Sequence, residues 1–390
     1  MQIGKLVQEG AITIKTGPFG TQLKASEYQA SGTPVLNVKN LGYGSVSSAK
    51  LDHVGSDTVE RLRIHLLQQG DIVFGRKGAV DRHAYIDDVS NGWMQGSDCI
   101  RLRVETEDIN PRFLSYFFLT NQHKAFMVSM CSHGTTMASL NQKILEQIDF
   151  PCPEREHQDK VVRILGTIDE DIKLNQRINE NLLQQAGAVF NKFYNASPAQ
   201  QPFTSLIDVL GGGTPKTGNP DFWDGPIPFF TPKDVGTPYT FQTEKYITES
   251  GLAHCNSRLY QKDTTFVTAR GTVGKVSLAG TAMAMNQSCY ALASKTADPL
   301  LVYFYVLKAV ASLKHKASGA VFDAIVTRDF DSETINILSD NDSKLVLSII
   351  RPIMDTIHNN SEENMRLVAL RDTLLPELMS GDLDVSELEI

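Results

Sequence analysis

The sequence predicts an α+β protein: two duplicated α+β domains joined by two long antiparallel coiled-coil helices, with pseudo-twofold symmetry. Three observations lead there. The chain matches itself at offsets between 185 and 194 residues, each copy closes with a heptad-patterned segment, and the rest of each copy is short apolar runs punctuated by Gly, Pro, Asn and Asp. With 390 residues, 41% hydrophobic and 21% charged, the chain is long enough to bury two cores.

In the first copy, Thr33 to Val38, Asp71 to Phe74 and Cys99 to Val104 read as strands, and Phe113 to Met127 as a helix behind Pro111. In the second, Ile227 to Phe230, Thr264 to Ala269 and Ser288 to Ala293 read as strands, and Pro299 to Lys314 as a helix. Thr33-Pro34-Val35-Leu36 with Lys39 faces Ile227-Pro228-Phe229-Phe230 with Lys233 at an offset of 194. GDIVFGRKGAVDR (Gly70 to Arg82) faces KDTTFVTARGTVGK (Lys262 to Lys275), which sets Arg76 opposite Arg270. Gln95 faces Gln287 at offset 192, and a polar loop around Ser132 to Thr136 faces one around Ser318 to Phe322.

The heptad segments match at a constant offset of 185. Val161, Leu165, Ile168, Ile172, Asn175, Asn179, Leu182, Ala186, Val189 and Phe193 recur in strict 4,3 alternation, as do Val346, Ile350, Ile353, Ile357, Asn360, Asn364, Leu367, Arg371, Leu374 and Leu378. That is a coiled-coil seam. Asn at the same two central seam positions needs a polar partner and fixes register, so the two helices are expected to pair with each other. The predicted domains are 1–153, a first spacer helix over 154–196, 197–340, and a second spacer helix with the tail over 341–390.

Several classes of function are excluded or left without support. The longest apolar stretch, Leu300 to Leu313, is short of the roughly 20 residues a bilayer requires, and Glu9 interrupts any export signal, so a cytoplasmic protein is expected. The 5 cysteines lack CxxC spacing, and Cys131, His133, Cys152 and His157 lack the short repeats of a zinc site, so no metal is expected. Of the net charge of −8, most lies in the last fifty residues, and the two globular segments are nearly neutral. Neutral domains remain compatible with a polyanionic ligand if their cations share a face. In Ala269 to Val276 the glycine spacing and Val276 both depart from a phosphate loop. NPDF (Asn219 to Phe222) lacks the second proline and the cofactor turn of an amino-methyltransferase. No catalytic site is nominated.

What remains is a set of basic residues at Gly-rich strand ends in both halves: Lys39, Arg76, Lys77 and Arg82, against Lys216, Lys233, Arg270 and Lys275. Thr135, Thr136 and Thr272 in the neighbouring loops join them. Arg reads guanine bidentately, Lys neutralises phosphate, and glycine lets backbone approach a ligand, so the set is a candidate DNA surface.

On IKTGPFGTQLK (Ile14 to Lys24), the run Gly32 to Leu41, GGGTPKTGNPDFWDGPIPFFTPKDV (Gly211 to Val235), ARGTVGK and LLPELMSGDL (Leu374 to Leu383), the chain resembles the specificity subunit of a type I restriction-modification system. The junction IDFPCPEREHQ (Ile148 to Gln158) is similar to the family's, whereas Ile335 to Asp342 lacks its prolines and Gln. The resemblance implies two target-recognition domains, each reading half of a bipartite double-stranded DNA site, with helices that set the spacing and dock two methyltransferase subunits. It implies restriction and translocase subunits as further partners. S-adenosylmethionine, ATP and Mg2+ then belong to the partners, with no cofactor and no catalysis on this chain. Two rival readings are the recognition half of a fused restriction enzyme-methyltransferase and a coiled-coil adaptor with two binding domains for protein or glycan. Methylation by the chain alone separates the first, and salt-dependent DNA binding the second.

Overall fold

The computed structural model describes residues 1–18, 20, 22–131, 138–316, 324–383 and 385. No helix among them is long and apolar enough to cross a membrane. Contacts divide the chain into two compact units, Met1–Glu170 with Val368–Ile390, and Asp171–Leu367. Each unit holds one globular copy and parts of both long helices.

In the first unit an antiparallel sheet runs in the order Ile12–Thr16, Cys99–Val104, Ile72–Gly75, His83–Tyr85. Strand alternation turns Ile72, Phe74, Ile100 and Leu102 to one face, where they pack on Phe113, Tyr116 and Phe118. A second sheet, ordered Tyr28–Gln29, Asp52–Val54, Thr33–Leu36, Met94–Gln95, closes with a parallel pair in which Leu36 lies beside Gln95. The helix expected over Phe113 to Met127 is in fact two, Pro111–Phe117 and Asn121–Cys131. Thr120 makes the break: its hydroxyl donates to the Phe117 carbonyl (2.8 Å) and accepts from the His123 N–H (3.3 Å), ending one helix and capping the next.

The second unit repeats the plan. One sheet runs Ile207–Gly211, Cys289–Ser294, Thr265–Thr268, Val276–Ala279, Tyr239–Thr240, and the other Tyr246–Ile247, Trp223–Phe230, Ala284–Met285. Strand registers fix which residues correspond. Gly75 pairs with Cys99 and Thr268 with Cys289, while Leu36 beside Gln95 corresponds to Phe230 beside Met285. Gln95 is therefore equivalent to Met285 and not to Gln287. The two glutamines also differ in use: Gln95 donates to the Lys15 and Cys99 carbonyls, whereas Gln287 accepts from the Thr214 hydroxyl.

The long helices are Arg155–Ala196 and Asp340–Ser380. Within the second unit they run antiparallel. Asn175 donates to Asn364 (3.0 Å), Asn360 to Asn179 (2.9 Å), and Asn179 to the Ser361 hydroxyl (3.2 Å), so the four seam asparagines satisfy one another. Within the first unit the Arg371 guanidinium donates to Asp169 (3.1 Å), which also accepts from Arg112 (2.9 Å) and Tyr116 (2.7 Å). At the junction Gln158 is fully buried: it accepts from the Asn110 N–H (2.8 Å) and donates to the carbonyls of Asp108 (3.0 Å) and Pro153 (2.8 Å). Leu165, Ile168, Ile172, Ile350 and Ile357 are buried, whereas Leu182, Ile353 and Leu367 are only partly so. Phe190 and Met354, one residue beyond the seam, are buried too, because each helix also packs on a globular core and needs a wider apolar stripe.

Candidate nucleic-acid interface

Five of the eight duplicated basic residues, Arg76, Lys77 and Arg82 in the first unit and Arg270 and Lys275 in the second, lie on one hairpin per unit, whereas Lys39, in the turn Val38–Asn40, and Lys216 and Lys233, in loops either side of Trp223–Phe230, lie off it. In the first, Ile72–Gly75 turns through residues 76–82 into His83–Tyr85, and in the second Thr265–Thr268 turns through residues 269–275 into Val276–Ala279. The offset across both turns is 193. Gly78 (φ 75°) and Gly271 (φ 79°) occupy the same place in the left-handed region, where a side chain is strained.

Backbone hydrogen bonds correct the sequence alignment here. The Arg76 N–H donates to Asp98 O and its carbonyl accepts from Leu140 (both 2.8 Å), while the Ala269 N–H donates to Ser288 O (2.8 Å) and its carbonyl accepts from Ile325 (2.9 Å). Arg76 thus stands where Ala269 stands, and the counterpart of Arg270 is Lys77. The shared arginine had drawn the sequence match one residue out of step, which at a strand end changes the side a residue faces. Arg82 and Lys275 do correspond. The repeated element is a cation followed by a left-handed glycine, with a second cation entering the return strand.

Lys77 and Arg270 are both exposed, and Lys77 lies 3.8 Å from Asp98. The Arg270 and Lys216 side chains carry no ion pair among the described residues. Arg82 sits over the exposed Tyr43 ring, 5.5 Å from its centroid. Thr272 donates to the Pro232 carbonyl (3.3 Å). Lys39 bonds Asp52 (2.7 Å) and holds that carboxyl below its usual range, with Asn37 assisting. Its counterpart Lys233 reaches Glu244 at 3.4 Å. Such exposed pairs contribute about 0–1 kcal/mol, so a phosphate can displace the carboxylate at little cost. Thr135 and Thr136 lie outside the described residues.

Sequence reading missed the aromatic partners. Lys124 also lies over the Tyr43 ring, 4.9 Å from its centroid, and Lys245 lies 5.4 Å from the Trp223 ring. No local spacing signals these pairs, because the strands and helices that carry them are separated in sequence. Among the described residues no group of three or more His, Cys, Asp or Glu is placed to hold a metal, and His133 falls outside them. Cys99 and Cys289, at equivalent positions, are buried thiols, each pushed by burial up to about 12.

A sequence profile of the type I restriction modification DNA specificity domain matches residues 12–184 and again residues 203–367. The chain is 19% identical over 446 residues to the type I restriction enzyme HindI specificity subunit of Haemophilus influenzae, covering 89% of this chain and 94% of that one. It is 27% identical over 163 residues to the type I restriction enzyme MjaIX specificity subunit of Methanocaldococcus jannaschii, covering 40% and 38%. Its fold is shared with the crystal structure of a type I restriction-modification S subunit from M. genitalium, at TM-score 0.56 and 13% identity, over 97% of this chain and 95% of that one. Matched twice, over most of its length, the chain belongs to the type I restriction modification DNA specificity family.

Proposed function

We propose that this specificity subunit reads a bipartite duplex DNA site, each globular unit taking one half-site. The observation that carries the reading is the hairpin that places a cation before a left-handed glycine, Lys77-Gly78 and Arg270-Gly271, at one register in both units. Recurrence of the same motif in domains that read different bases favours phosphate contact, with base selection left to residues that differ between the copies. The two long helices fix the gap between half-sites and offer docking surfaces to two methyltransferase subunits. S-adenosylmethionine, and the ATP and Mg2+ of restriction subunits, are assigned to those partners, which leaves this chain without a chemical step.

The test is to express the chain with its methyltransferase partner and map methylated adenines by single-molecule sequencing. Two half-sites at a constant gap are expected. Methylation by the purified chain alone, or modification without a bipartite motif, would overturn the reading.

A further inference from the structure

The two units differ where they should match. In the first, Lys15 and Arg101 face each other across paired strands, and Gln95 lies beneath them with its amide donating to the Lys15 and Cys99 carbonyls (2.9 and 3.1 Å). Arg101 also donates to the Ile64 and Leu66 carbonyls (3.5 and 3.3 Å), which flank His65. In the second unit the same register positions hold Leu210, Met285 and Ala291, packed in an apolar cluster with Phe230 and Phe266. The fold therefore has an apolar solution at this place, and the first unit does not use it.

The polar version is costly as it stands. Gln95 is 0% exposed and Arg101 and His65 are each 5% exposed, yet Arg101 Nε, Gln95 Oε1 and His65 Nδ1 have no hydrogen-bond partner. Three such atoms in one place are a substantial desolvation penalty that a bound ligand would relieve. The Lys15 ammonium, half-buried at the rim, makes no hydrogen bond or ion pair among the described residues. Local carboxylates are engaged elsewhere: Asp71 takes two bonds from Arg103 (2.6 and 2.8 Å), and Glu105 accepts from Thr13 (3.0 Å). Burial, then the charge of Lys15, lowers the pKa of His65, with the neighbouring Gln95 side chain opposing the shift and Arg101 adding to it, which places both cations close to the imidazole.

We propose that Lys15, His65, Gln95 and Arg101 form an oxyanion site for a phosphate group. Lys15 and Arg101 Nε–H donate to its oxygens, and Gln95 Oε1 is suited to accept from an O–H. Inorganic hydrogen phosphate has such a hydroxyl, whereas a DNA phosphodiester has only acceptors. The diester case deepens the DNA-reading proposal and rests on it, and the free-phosphate case does not.

The experiment compares thermal melting of the full chain in inorganic phosphate and in chloride at equal ionic strength, together with the salt dependence of duplex binding. Two variants are used: Lys15→Met, and the combination Lys15→Leu, Gln95→Met, Arg101→Ala, which installs the residues of the second unit. A phosphate-specific rise of several degrees, lost in both variants, supports a free oxyanion. A salt slope of DNA affinity reduced by about one in Lys15→Met, with no phosphate effect on melting, supports a backbone phosphate. Wild-type melting and salt slopes indifferent to phosphate and to Lys15→Met overturn the site. That result leaves the DNA-reading proposal intact, because the latter is judged by salt-dependent duplex binding of the wild-type protein and by the bipartite methylation motif, neither of which depends on this site.

Discussion

Lys77 and Arg270 are one position in two contexts, so they supply a paired test. Replacing either with Ala is expected to weaken DNA binding about uniformly across sequences and to lower the salt slope by about one, as measured by anisotropy with the assembled methyltransferase complex. Arg76→Ala is expected to act on the first half-site alone, since Arg76 belongs to the first unit and its counterpart in the second is Ala269. Equal effects of Arg76→Ala on both half-sites would contradict the reading in which each unit takes one half-site. A second residue-scale expectation concerns acid. His83 and His123 are buried, and burial lowers each to about 3. Their folded values lie below the 6.5 of an unfolded histidine, so their stabilisation is complete above about pH 6.5 and drains as pH falls from there toward 3. Each should cost about 1.4 kcal/mol per pH unit in that window. Denaturant unfolding at pH 7.5, 6 and 5 measures the slope, and His123→Phe, a ring set between Phe117 and Phe118, should roughly halve it.

At the scale of elements, the seam was legible because its residues recur with one period over many turns, and Asn at matched positions announced a partner. What escaped was the wider buried stripe with Phe190 and Met354, since heptad spacing describes helix on helix and says nothing of helix on domain. The break at Thr120 escaped for a related reason: a single hydroxyl makes it inside an otherwise continuous apolar pattern. The hairpin cations were found, but their pairing was one residue off, because identity of side chain outweighed a register that only hydrogen bonds reveal. The asparagine pairs yield a prediction. Asn179→Val alone leaves Asn360 without its partner and should cost about 1–3 kcal/mol by thermal or urea unfolding. Replacing Asn175 and Asn364 together with Leu should cost little or stabilise, at the expense of register. A larger loss from the double replacement than from the single would show that the amides do more than satisfy each other.

For the whole molecule, modularity has a boundary that the predicted domains did not place. The core of the first unit takes Leu375, Leu378 and Met379 from the second long helix, beside Ile3 and Leu6 from the chain's beginning. An exchange of residues 1–153 alone would set those side chains against a foreign surface. Exchange of residues 1–170 together with 368–390 from a relative should change one half-site, leave the other as it was, and preserve the melting temperature, as read by methylome sequencing and calorimetry. Change in both half-sites would refute independent reading.

That discontinuity also orders events during synthesis. Asp171–Leu367 is one uninterrupted run of chain and can close as soon as it has left the ribosome. Met1–Glu170 emerges first, yet a part of its interior is still untranslated. At about 5–20 residues per second it waits roughly 10 to 40 s for the segment beginning at Val368. The domain made earliest is the last to be finished, and in that interval its apolar face is the part of the molecule most in need of protection.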